Sequence, residues 1–219
     1  MQLKTFAISA LAVAIIVVCV ALQPDEDKSA LVLAKAAAKS AAPKLISGAS
    51  GAMLAGSCEG CHGSDGNSQG PATPTIAGMS INYLVEVMEE FRDDETKSTI
   101  MGRIARGYTD DEIKAMAAYY ADIPFNGAGQ RGDAATIATG KKLQKRYCGK
   151  CHHDGGADAD DDSGILAGQW PLYLHYTLQD FANGDRAISQ KMEKKIGQVL
   201  AAEGQAGIDA IITCLGSQR

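Results

Sequence analysis

Two short stretches carry reactive side chains at one spacing: "SCEGCHG" at residues 57–63 and "YCGKCHH" at residues 147–153. In each, two cysteines stand two residues apart and histidine follows the second. Thiols so placed can add across the two vinyl groups of a haem, and the neighbouring imidazole then meets the iron from one side. Cys58, Cys61, Cys148 and Cys151 are therefore candidates for covalent haem attachment, with His62 and His152 as the first axial ligands. Zinc is the rival ligand for paired Cys-x-x-Cys. It does not require a histidine directly after the second cysteine, however, and Cys61 and Cys148 are much farther apart than the halves of a zinc ribbon.

The elements that position these groups come as one unit written twice. At a constant offset of 90 residues Cys58, Cys61 and His62 fall on Cys148, Cys151 and His152, "IAG" at 76–78 on "LAG" at 166–168, Tyr83 and Leu84 on Tyr173 and Leu174, and Phe91 on Phe181. Agreement at several separated points implies two similarly folded domains, each opening with its motif.

An iron that only transfers electrons needs its opposite face filled, usually by methionine or a second histidine. Beyond the motif histidines only His153 and His175 remain, and their repeat counterparts are Gly63 and Val85. Methionine fits the repeat better. Met192 is the only methionine beyond residue 116, and one inserted residue brings Met101 into register with it. The spacing thus assigns His62 with Met101 and His152 with Met192. Met88 and Met116 lie on apolar helical faces and read as core filler, and Met79 faces Gln169 in the repeat alignment.

Leu84, Val87, Met88 and Phe91 recur at helical spacing after the first "AG", and Thr109 with Glu112 forms a capping-box pattern ahead of Ile113, Met116, Ala117 and Tyr120. No alternating strand pattern of useful length is present. The expected class is all-α, with two tandem cytochrome c-like domains, each with one covalently bound haem.

Residues 1–22 combine Lys4 with an apolar run from Phe6 to Leu22, the layout of an export signal or, if retained, an N-terminal anchor. The expected compartment is the periplasm, with any membrane attachment confined to that segment. Residues 23–50 form an Ala/Lys-rich spacer, 51–126 the first cytochrome domain and 127–219 the second. Across 219 residues, 46% are hydrophobic but only 5% aromatic, so two small cores would gain apolar bulk from bound haem. The net charge of −5, with no dense basic run, excludes the footprint of a nucleic-acid binder.

Three further patterns do not hold. "GAGQRG" at 127–132 matches a dinucleotide fingerprint by letter but follows Pro124 in a connector, not a strand. "DADDDSG" at 158–164 has Ser163 where a calcium loop needs its turn glycine. Four of six cysteines belong to the motifs, leaving Cys19 in the export segment and Cys214 near the C-terminus, with no vicinal pair for thiol redox chemistry.

"MLAGSCEGCHG", "GNSQGPATPTIAGM", "STIMGRIARGY" and "YCGKCH" followed by "ILAGQWPLYL" resemble the dihaem cytochrome subunits of flavocytochrome c sulfide dehydrogenases, akin to two-domain periplasmic dihaem cytochromes c. The resemblance runs from about Met53 to about Ala210. It implies two covalent haem c groups, no flavin on this chain, and axial roles for Met101 and Met192. It also implies a flavoprotein (FAD) sulfide dehydrogenase subunit as electron donor and a further acceptor such as a soluble cytochrome. The chain itself would not be an enzyme. Alternatives are a free periplasmic dihaem shuttle without a flavoprotein partner, or a haem enzyme acting on a sulfur compound. Arg103, Arg106 and Tyr108, near Met101, are expected at the contact surface. Pro74, placed to brace a loop beside the first haem, has Gly164 as its counterpart, so the two haems need not share one potential.

Overall fold

The computed structural model describes residues 48–160 and 163–219. The export segment, Cys19 and most of the spacer lie outside these residues, as do Asp161 and Asp162 of the acidic stretch. Among the described residues there is no β-strand, only an isolated bridge between Asp160 and Ser163, and the class is all-α.

The first repeat contains α1 (Gly51–Ala55), α2 (Glu59–His62), α3 (Ile81–Arg92), α4 (Met101–Ala105) and α5 (Asp110–Ala121). The second contains α6 (Ala134–Leu143), a π-helical turn (Gln144–Cys148), a 3-10 turn (Asp154–Gly156), α7 (Pro171–Asn183) and α8 (Gln190–Gly216). The capping box is present: Thr109 accepts from the Glu112 backbone and Glu112 accepts from the Thr109 backbone. Ser80, Asp133 and Ser189 cap α3, α6 and α8 with their side chains, and Pro171 opens α7, where its missing N–H costs nothing.

In both repeats the helix before the cysteine motif crosses the last helix: α1 on α5, and α6 on α8. Glycine makes each crossing close enough. A Cβ on Gly51 would lie 2.2 Å from the Ala115 carbonyl oxygen, and one on Gly140 would lie 1.9 Å from that of Ala210. Leu143, Leu174, Val199, Ile211 and Leu215 centre the second core; Leu54, Ile113, Met116 and Tyr120 help build the first. As expected, Met79 and Met116 are buried core and Met88 packs beside it.

The repeats diverge after their α3 and α7 helices. In the first, Gly107 and the Thr109 cap separate α4 from α5; in the second, helix-forming residues between Lys194 and Glu203 carry α8 on until Gly204, whose φ of 66° breaks its regular path. Half of the most apolar window of α8 is buried within the protein, as suits a core helix.

Candidate haem sites

The two cysteine motifs fold alike. Cys61 N–H donates to the Cys58 carbonyl at 3.2 Å and His62 N–H to the same oxygen at 2.9 Å; the equivalent bonds from Cys151 and His152 to Cys148 are 3.1 and 3.0 Å. One helical turn therefore holds both thiols and the imidazole of each motif. None of the four thiols is in a disulfide, and the second thiol of each pair, Cys61 and Cys151, is exposed. This arrangement fits thioether attachment of a haem. It does not fit zinc, because no three His, Cys, Asp or Glu side chains gather as a metal-binding group among the described residues.

His62 is buried, and its Nδ1 lies 2.8 Å from the Pro74 carbonyl oxygen. A carbonyl only accepts, so Nδ1 carries the proton and Nε2 is left as the basic nitrogen available to iron. Pro74, expected to brace a loop beside the first haem, meets the motif through its backbone carbonyl on His62. His152 differs: its Nδ1 is buried without a hydrogen-bond partner. Burial lowers the pKa of both rings, outweighing the Pro74 bond at His62 and Asp160 at His152. Both are held neutral, the form that binds a metal. Burial also pushes the Cys148 thiol up to about 11, against the pull of Lys195.

Met101 opens α4 and Met192 lies in the first turn of α8, both partly buried. Each follows its motif with one long helix between, α3 or α7. His153 is exposed beside Asp160, and His175 stacks edge-on against Tyr176. Arg106 is already paired with Asp94 at 2.8 Å and Tyr108 hydrogen-bonds Ser57, next to Cys58, which leaves Arg103 as the unpaired cation of that segment. Cys214 is buried against Gly140 in the α6–α8 crossing. "GAGQRG" lies in irregular coil between α5 and α6, with no strand leading into it.

The seam between the repeats holds residues whose role sequence reading did not find. Gln169, 1% exposed, binds both backbone groups of Thr75: it accepts from Thr75 N–H at 2.9 Å and donates to Thr75 C=O at 3.0 Å. Trp170 Nε1 donates to the Ser68 carbonyl at 3.2 Å, and its ring fills the space where a Cβ on Gly70 would stand. Lys97 pairs with Asp185 nearby. Only the unlike pairing of Met79 with Gln169 in the repeat alignment hinted at this.

Comparison with known proteins bears on these sites. The cytochrome c family model matches residues 48–122. The cytochrome subunit of sulfide dehydrogenase from Chlorobaculum tepidum is 41% identical over 82 residues, 37% of this chain and 74% of that protein. The thiosulfate dehydrogenase electron acceptor of Thiomonas intermedia is 27% identical over 143 residues, 61% of this chain and 66% of that protein. The crystal structure of reduced recombinant cytochrome c4 from Pseudomonas stutzeri has the same fold, with a TM-score of 0.66 at 24% identity over 77% of this chain and 97% of that chain.

Proposed function

This chain belongs to the cytochrome c family, and from that premise we propose that it is an exported dihaem electron carrier serving a sulfide-oxidising flavoprotein. Cys58 and Cys61 would hold one haem and Cys148 and Cys151 the other, each through two thioethers. His62 with Met101, and His152 with Met192, would fill the axial positions. A haem held in this way supplies a one-electron iron couple, so two of them match the two electrons released when sulfide becomes sulfur.

The proposed ligation argues against substrate chemistry on this chain. Each iron would be closed on both faces, no cysteine pair remains to carry a sulfur adduct, and no dinucleotide fold is present among the described residues. Oxidation of sulfide would then belong to a separate flavoprotein, and this chain would receive the electrons and pass them to a further periplasmic carrier. The observation that carries the reading is the likeness to the cytochrome subunit of sulfide dehydrogenase, at 41% identity.

A second reading is that of an electron acceptor for another sulfur dehydrogenase, or a free shuttle. It draws on the thiosulfate dehydrogenase electron acceptor and on the cytochrome c4 likeness, which reaches across both repeats, whereas the sulfide dehydrogenase match is 82 residues long. Sustained reduction of an added regenerating acceptor separates the two. With sulfide, turnover is expected only when a flavoprotein sulfide dehydrogenase is mixed with this cytochrome. Turnover with thiosulfate and a thiosulfate dehydrogenase, and none with the flavoprotein, would favour the second reading. Sustained turnover of sulfide by the cytochrome alone would overturn both.

A further inference from the structure

The Pro74–Thr75 peptide group is engaged at both ends. Its oxygen accepts from His62 Nδ1 at 2.8 Å, and its N–H donates to Gln169 Oε1 at 2.9 Å. Gln169 belongs to the second repeat and His62 to the first, so a continuous hydrogen-bond chain crosses the seam and ends on a haem motif. The peptide has little freedom: Thr75 is 1% exposed, Gln169 Nε2 holds its carbonyl at 3.0 Å, and its hydroxyl accepts from Ser68 N–H at 3.2 Å.

The repeat supplies an internal comparison. At the 90-residue offset His62, Pro74, Thr75 and Met79 correspond to His152, Gly164, Ile165 and Gln169. The second repeat makes the reciprocal bond, Ile165 N–H to Met79 Sδ at 3.0 Å. A thioether is a weak acceptor and has no N–H with which to hold the carbonyl of Ile165. On that side the chain also ends early, because His152 Nδ1 has no partner.

We propose that Gln169 is a positioning residue for the iron coordinated by His62, acting across the repeat seam through the Pro74–Thr75 peptide. This rests on the proposed haem ligation. A strong acceptor on the peptide N–H polarises its carbonyl, which draws the Nδ1 proton more strongly and makes the ring a better electron donor at Nε2. Stronger donation stabilises oxidised iron and lowers the reduction potential at the first motif. The second motif lacks both elements of this device, so the seam sets the two sites apart in potential.

The test is a redox titration of the intact dihaem protein, with haem-methyl NMR signals assigning each wave to its motif. Gln169→Met gives the seam the chemistry found at Met79. The first-motif midpoint should rise by roughly a tenfold change in the reduction equilibrium, about 59 mV for one electron, while the second-motif midpoint stays in place. Trp170→Phe, which removes the bond to Ser68 but spares the Gln169–Thr75 clamp, should move neither. An unmoved first-motif midpoint in Gln169→Met, or the same shift in Trp170→Phe, overturns the assignment. A measurement on the unmutated protein is independent of how the variants fold: the His62 Nδ1 proton should exchange with solvent more slowly than that of His152, and equal or reversed rates would contradict the proposal. Wild-type protein lacking two attached haems would instead defeat the proposed function beneath it.

Discussion

The chemistry of each motif depends on which atom of a few side chains is free. The Pro74 carbonyl accepts a hydrogen bond from His62 Nδ1–H, so Nε2 is the nitrogen left free for a metal, and burial keeps the ring neutral. The opposite ligand is assigned by the repeat, and it can be checked residue by residue. Met101→Ala and Met192→Ala should each remove about half of the weak red sulfur-to-iron absorption of the oxidised protein, and each should lower one midpoint potential, since methionine ligation raises it. An unchanged spectrum in Met101→Ala would show that another group holds that position. Cys148→Ala should leave the first haem attached at Cys58 and Cys61 by two thioethers, with the haem at the second motif held by a single thioether or lost. Mass spectrometry after acid-organic extraction reads the result directly.

Helix crossings decide where the motifs sit. The turn carrying Cys148 continues directly from α6, and α6 is located by its crossing with α8, where Gly140 meets the Ala210 backbone. A methyl group there has nowhere to go without separating the helices. Gly140→Ala is expected to destabilise the holoprotein by about 1–3 kcal/mol, in the range found for overpacked cores, as measured by denaturant unfolding. Gly197→Ala offers the contrast: a Cβ at that position meets nothing within 4 Å, so the exchange should be neutral or slightly stabilising through helix propensity. Loss of the Thr109 cap in Thr109→Ala should cost about 1 kcal/mol, with a smaller effect on the second motif than on the first.

For the whole molecule, the seam ties the two repeats together through hydrogen bonds. Gln169, Trp170 and Lys97 each reach from one repeat into the other, through backbone groups, a packed ring and the exposed pair with Asp185. The Lys97–Asp185 pair is solvated and contributes little, so Lys97→Ala should leave the denaturant unfolding midpoint almost unchanged. The unequal bracing of His62 and His152 carries a larger consequence: reductive titration of the wild-type protein should resolve two one-electron waves and not a single two-electron wave. That separation would give the pair of centres a direction, with the site of higher potential filling first.

The haem motifs, the repeat, the all-α class and the Thr109 cap could all be read from the sequence because each is local. A Cys-x-x-Cys-His turn, a capping box and a helical stripe need only residues within a few positions of one another, and duplication makes them visible twice. The bond from His62 to the Pro74 carbonyl was not readable, because every residue carries that group and only the fold brings this one to the ring. What the chain order could not reveal was contact between distant segments. Gln169 lies 94 positions from Thr75, and an isolated buried glutamine in a sequence carries no sign of which backbone it will satisfy. The unbroken course from Met192 into α8 was likewise hidden, because the repeat suggested a copy of α4 and α5 while local helix propensity carried the chain on to Gly204. Sequence fixes chemistry where its atoms are neighbours along the chain. Only the folded seam, where a buried polar side chain must find a partner or go unsatisfied, decides which backbone of one repeat the other repeat holds.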